Sequence, residues 1–483
     1  MTRSVIAHNR FGLGARSDDG RINDPQRWLR QQLSAYDPVP ALLDTVPSRR
    51  TVVDELADFY VRRRNGFGRG QGGNRGEQEP TSTDMDGETV DPRTTARRSF
   101  NRQGRQHYAA MVDARARIAL TSRAPFAERL VHFWANHFAV SANGAALVRL
   151  AGLLEFEAVR PHVMGRFRDM LLAVERHPAM LLFLNQARSI GPNSPFGRRV
   201  GRRRNRRPGL NENLAREIME LHTLGVDGGY SQADVTELAR AMTGWTVAGL
   251  ARGPVRRIFP TSATVGQFYF AQQLHEPGPR TLLGRHYSAG GEAQAVAILE
   301  DLSAHPSTAR HLATKLARHF AGDTPPDALV DRLATTYRGT EGDLPSLYRV
   351  LIDAPECWVD EPVKFKTPWE WIISGFRALG SREFDRRING VLRQLGQPVW
   401  TPGSPAGFDD IAASWSGASA LTSRVELAQR IADRSRDRID ARQLAPRLFG
   451  DMLSDRTART IASAESAGQG LALLLVSPEF LRR

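Results

Sequence analysis

Apolar residues recur along most of the chain at three- and four-residue spacing, the signature of helices that bury one stripe. The pattern predicts one or two helices over 24–62, where Val52, Val53, Leu56, Phe59 and Tyr60 form such a stripe. Further helices are predicted over 97–121, 125–139, 147–160, 165–175, 178–185 and 212–224, and after Ser231, where Ser231 and Asp234 fit a capping box. Beyond 292 the expected helices are 292–303, 306–320, 325–338, 343–353, 367–379, 384–395, 420–435 and 456–481. Pro125 suits the first turn of its helix, and Gly225 suits a helix end.

Two stretches break the helical pattern. Residues 250–290 carry Phe259, Phe268, Tyr269 and Phe270 among Gly and Pro, which reads as a short irregular β-like excursion. Residues 397–419 form a loop rich in Gly, Pro and Trp. The fold expected is all-α: a single large helical unit over 1–483, interrupted by a low-complexity insertion at 63–94 and an Arg-rich loop at 188–208.

The 483 residues, 41% apolar and 24% charged, fit a globular chain and exclude a fibre or a chain disordered throughout. No apolar run reaches the roughly 18 residues of a membrane span. Cys357 is the lone cysteine, which excludes an internal disulfide framework and a Cys-rich zinc site. The first ten residues have neither an apolar core nor a small-residue cleavage site, so the expected compartment is the cytoplasm.

The net charge of +14 is concentrated. Residues 62–107 hold ten Arg and six acids, and 188–207 hold eight Arg and no acid. Together they carry +12, leaving a nearly neutral body. Lysine occurs only at Lys315, Lys364 and Lys366. The basic stretches read either as polyanion contacts or as solvated insertions in a chain that prefers arginine.

Candidate chemistry centres on residues 211–225 (NENLAREIMELHTLG). At 100° per residue Leu214, Ile218 and Leu221 form the apolar stripe, with Glu217 at its edge. Asn213, Glu217 and Glu220 share one side, and His222 lies on the other flank. Carboxylates beside an apolar face must be paired, bind a cation or take a raised pKa. They serve general acid/base work or a divalent cation site, or else pair structurally with Arg216 or Arg240. A second segment, 129–138 (RLVHFWANHF), places His137 amid Leu130, Phe133, Trp134 and Phe138, with His132 and Asn136 opposite. His137 either bonds a backbone carbonyl in the core or faces Glu217 or Glu220 across a helix interface. The site expected is Glu217, Glu220 and His137 as catalytic groups, with Asn213, Asn136, His222 and Trp134 in binding roles. His177, His275, His305 and His319 read as caps or core contacts. No G-x-S-x-G elbow, P-loop or H-E-x-x-H motif occurs.

The chain resembles a bacterial family catalogued as domain of unknown function 1800. The resemblance rests on residues 9–14 (NRFGLG), 133–141 (FWANHFAVS), 176–181 (RHPAML), 211–225 with 229–235 (GYSQADV), 315–320 (KLARHF), 366–368 (KTP) and 477–480 (SPEF). It implies a mostly helical protein of unassigned activity. It also implies a sulfatase-like protein encoded nearby as a partner, with export of many members. Two departures stand out. The family usually has Leu-Asp-Asn where this chain has Leu184, Asn185 and Gln186, and Gly-Trp-Pro where it has Gly407, Phe408 and Asp409.

Two functions are expected. One is a carboxylate- or metal-dependent hydrolase acting on a saccharide or ester bond. The other is a non-catalytic helical scaffold or chaperone for the sulfatase-like partner. Polyanion binding through the basic stretches is a weaker third.

Overall fold

A computed structural model describes residues 2–65, 92–204, 209–250, 258–260, 263–383, 388–435 and 438–483. The chain is all-α with a minor β excursion. Residues 63–65 end the helix Arg49–Asn65 and 92–94 open the helix Pro92–Thr121. The rest of the low-complexity insertion lies outside the described residues.

Local chemistry sets the helix ends. Pro125, Pro306 and Pro368 each occupy a first-turn position, where the missing N–H costs nothing and φ is already helical. His305 caps Pro306–Ala321 by accepting the Ser307 N–H at its Nδ1, 3.1 Å away. Thr367 and Glu370 form a reciprocal capping box on Pro368–Ala378. The expected capping box of Ser231 and Asp234 is present on Gln232–Ala241.

Some expectations need correction. The Arg-rich stretch at 188–208 is not a loop throughout: residues Pro195–Arg204 are helical, and Arg198, Arg199 and Arg202 are exposed. Its residues 205–208 lie outside the described set. The closing helix expected over 456–481 is three short ones, Asp455–Ala462, Ala467–Leu475 and Pro478–Leu481. Ser466 and Ser477 break the run because their side chains cap new helices. A helix at Ala441–Phe449 went unpredicted.

Among the described residues the β excursion holds two antiparallel pairs. Trp245–Val247 pairs with Phe268–Phe270, and Arg280–Leu282 pairs with Arg285–Tyr287. The second pair turns on Leu283 and Gly284, both at positive φ, as a two-residue hairpin requires. Residues 251–257 and 261–262 of the excursion are outside the described set.

Most buried apolar residues from Val5 to Leu481 form one main cluster, with Trp134, Trp245 and Trp371 among its largest fully buried members, and Phe196, Ala271 and Leu274 form a small separate one. Buried arginines tie the main cluster together. Arg160 makes a two-pronged pair with Glu128, at 2.7 and 2.9 Å. Arg10 donates to the carbonyls of Cys357, Val359 and Glu361. The abundant arginine is thus partly interior, where a planar five-donor head can satisfy several carbonyls at once.

Three helical stretches widen into π turns: Ala7–Phe11, Glu155–Val159 and Ile218–His222. The first leads into residues 9–14 of the NRFGLG motif. Gly14 sits at φ +102, and a Cβ there would lie 2.6 Å from Ser374 Cβ. This close approach packs the motif against the helix Pro368–Ala378.

Candidate functional site

The helix Pro125–His137, the helix Pro306–Ala321, the start of Pro368–Ala378 and the loop 397–410 enclose a cavity of about 270 Å³. Its wall carries His132, His137, His319, Lys315, Arg318 and Asp410, among others.

The loop reaches the cavity because Asn136 holds it. The Asn136 amide donates to Phe408 O and accepts from Phe408 N, both at 2.8 Å. Gly407 takes φ +85, and a Cβ there would lie 2.3 Å from Asn136 O, so glycine is required. Trp400 adopts φ +46, sparsely populated for a bulky side chain. It is pinned by Ala142 N on its carbonyl at 2.7 Å and by Glu155 on its indole N–H at 2.8 Å.

Held this way, Asp410 meets His319. Asp410 Oδ2 accepts from His319 Nδ1 at 2.8 Å, while Asp410 Oδ1 lies 3.0 Å from Lys364 Nζ. Lys364 also contacts Asp323, at 2.8 Å. A short antiparallel bridge between Phe365 and Arg482 brings Arg483 alongside. Arg483 Nη2 lies 3.5 Å from His319 Nδ1 and 3.4 Å from Nε2. A nitrogen in the ring plane at those distances would collide with ring atoms, so the guanidinium rests on the imidazole face. Arg483 Nε also pairs with Glu370 Oε1 at 2.8 Å, and Arg129 closes on the same oxygen.

Electrostatics fix the protonation of the pair. Burial lowers the His319 pKa below its ordinary value, Asp410 opposes this and Arg483 reinforces it. Burial would raise Asp410, but His319, Lys364 and Arg483 hold it far below the usual carboxylate range. At neutral pH the pair is neutral imidazole and carboxylate. An ionised acceptor at Nδ1 places the proton there and leaves Nε2 as a bare acceptor.

His132 has the opposite tautomer. Its Nδ1 accepts the indole N–H of Trp369 at 3.2 Å. That donor cannot accept, so the His132 proton lies on Nε2. Burial first, then Arg115, Arg160 and Arg129, keep His132 well below its ordinary pKa and neutral. One cavity thus holds a histidine with a bare Nε2 and another with an Nε2–H.

The residues singled out from sequence are divided between places. His137 and Asn136 line the cavity. His137 does not face Glu217 or Glu220; its Nε2 lies 3.2 Å from the His222 carbonyl. Burial, then Lys315, holds it neutral. His222 sits behind it, its Nδ1 2.7 Å from Glu175 Oε1, with both side chains buried. Trp134 is a core residue whose indole donates to Tyr348 Oη at 2.7 Å. Asn213 is exposed. Glu217 and Glu220 are half-buried and do not line this cavity. Burial, partly offset by His222 and aided by Glu220, raises the Glu217 pKa. The arginines weighed as their partners are engaged elsewhere, Arg216 with Glu212 and Arg240 with Glu237.

Sequence reasoning missed His319 as more than a helix-end residue, and missed Asp410, His132, Lys315, Glu370 and Arg483. The available signal was lysine. In a chain with 66 Lys and Arg, its three lysines stand at the cavity wall (Lys315), on Asp410 (Lys364) and one turn from Glu370 (Lys366).

Among the described residues no group of three or more His, Cys, Asp or Glu side chains is placed to hold a metal ion. The Nε2 atoms of His137 and His311 face backbone carbonyls, those of His222 and Leu221.

Among the described residues no helix is long and apolar enough to cross a membrane. Comparison with curated proteins gave no match, and comparison with solved structures gave none. A family profile matches residues 6–482, so the chain belongs to the family described as protein of unknown function (DUF1800).

Proposed function

We propose that the chain is a hydrolase of ester bonds in which His319, oriented by Asp410, acts as general base. The observation that carries this reading is the His319–Asp410 pair opening on the cavity beside a second histidine of opposite tautomer. Glycoside cleavage would need two carboxyl groups flanking the bond. Of the three cavity carboxylates, Glu370 and Asp410 are committed to buried cations, which leaves Asp409 alone without a second free carboxyl group opposite it and favours an ester.

His319 Nε2 takes a proton from water as the water oxygen bonds to the ester carbonyl carbon. The His132 Nε2–H donates to the oxyanion that forms. The C–O bond then breaks, and His319 returns its proton to the leaving alkoxide, so both histidines end neutral. Asp410 stabilises the transient imidazolium and fixes its tautomer. Burial that keeps His319 neutral keeps the base form available at neutral pH.

The test is turnover of a panel of p-nitrophenyl and carboxylate-bearing esters. His319→Asn should lower kcat by about 100-fold or more while leaving the melting temperature within a few degrees. A folded His319→Asn protein with undiminished turnover would overturn the assignment. So would a wild-type protein that hydrolyses no ester on the panel.

A further inference from the structure

We propose that Lys315 and Arg318 form a subsite for an oxyanion, a carboxylate, sulfate or phosphate carried by the substrate. The link to a substrate rests on the hydrolase reading above; the anion site itself does not.

The charges that line the partly enclosed cavity are not all paired. Four cations line the cavity: Arg115, Arg129, Lys315 and Arg318. Arg115 is neutralised by Glu155 at 2.9 Å, and Arg129 by Glu370. Glu370 is shared with Arg483, and Asp410 is occupied by His319 and Lys364. Asp409 is an exposed carboxylate that accepts the Ser414 hydroxyl at 2.8 Å, and among the described residues it makes no ion pair with Lys315 or Arg318. Among the described residues no hydrogen bond or ion pair reaches the Lys315 ammonium or the Arg318 guanidinium, and Arg318 Nε is buried without a partner. The neighbours that bear on Lys315 are Asp410, Arg318, His137 and His311, and both histidines are held neutral.

Two cations without an ion-pair partner in a partly enclosed cavity are unfavourable unless a counter-charge enters. An oxyanion supplies it through charge-assisted hydrogen bonds to both heads. Burial draws the Lys315 pKa down to about 8, with Asp410 opposing and Arg318 adding to the fall, so the ammonium persists at pH 7. Lys315 and Arg318 are three positions apart on one helix, and His319 is four from Lys315. An anion bound there lies beside the His319 imidazole, where it would hold a substrate in register.

The probes are sodium sulfate, inorganic phosphate and sodium acetate, titrated calorimetrically into the full chain at fixed ionic strength with chloride as control. At least one should bind saturably to wild-type protein, and which one identifies the charge class. Lys315→Met should weaken that binding about tenfold or more, and Arg318→Gln should weaken it as well. If Lys315→Met does not fold, Lys315→Gln and Arg318→Gln carry the same expectation. Saturable binding unchanged by the Lys315 and Arg318 substitutions would overturn the subsite, as would no saturable binding of any probe. The two readings fail separately. Saturable anion binding without esterase turnover removes only the base, and His319-dependent turnover without anion binding removes only the subsite.

Discussion

Glu370 shows how one side chain serves two levels of structure. Its Oε2 accepts from Thr367 N at 2.9 Å, closing a helix start, and its Oε1 meets Arg129 and Arg483. Burial would raise its pKa, but the two guanidinium groups, His319 and the Thr367 N–H push it far down. Neutralising it leaves two buried guanidinium groups facing each other without a counter-charge. Glu370→Gln is therefore expected to lose about 3–5 kcal/mol of stability in chemical denaturation. A loss under about 1 kcal/mol would show that the arginines find other partners. His137 offers the complementary lesson: the helical wheel placed it correctly against apolar neighbours, but which carbonyl it meets depends on a segment 85 positions away.

Most helices were legible from periodicity and caps, since residues such as Pro125 and Ser231 act within their own turn. Besides the helix Ala441–Phe449 and the breaks in 456–481, periodicity missed the change of pitch at 218–222. A wheel drawn at 100° per residue assumes an α-helix to Leu224; the chain is α only over Asn213–Glu217 and then widens. The wider turn shifts the side chains at its far end, and His222, placed by the wheel on the flank away from Glu217 and Glu220, buries itself against Glu175. The stability of this turn should depend on that pair. Glu175→Ala leaves the His222 Nδ1 without its partner and is expected to cost about 1–3 kcal/mol, and Glu175→Gln less, because an amide oxygen can still accept. Urea unfolding of the two variants decides it; equal stability to wild type in both would place the turn's support elsewhere.

Across the whole molecule, buried neutral histidines make stability depend on pH. Burial lowers His311 and His319 each to about 4, and His132 and His137 fall well below their ordinary value. Between about pH 6.5 and 4 the unfolded chain binds protons that the folded chain does not, so stability falls as pH falls. The depressed carboxyls Glu370 and Asp410 remain ionised through that window and do not offset the loss. Melting temperature should hold near pH 7 and drop steadily from about pH 6.5 to 4.5; a flat profile would contradict the neutral assignment. The arrangement of the cavity was the least legible feature, because the hydrogen bonds and ion pairs that shape it join distant positions. Asn136 and Phe408 are 272 positions apart, Arg129 and Glu370 are 241, and His319 and Asp410 are 91.

Those separations bear on how such a site can be inherited. Leu13, Arg129, His319, Trp369 and Asp410 all border one space, so no short contiguous fragment of the chain contains it. Recombination that moved any single segment into another protein would carry away one wall and leave both hosts without a chamber. The chemistry can pass between lineages only with almost the full length of the polypeptide.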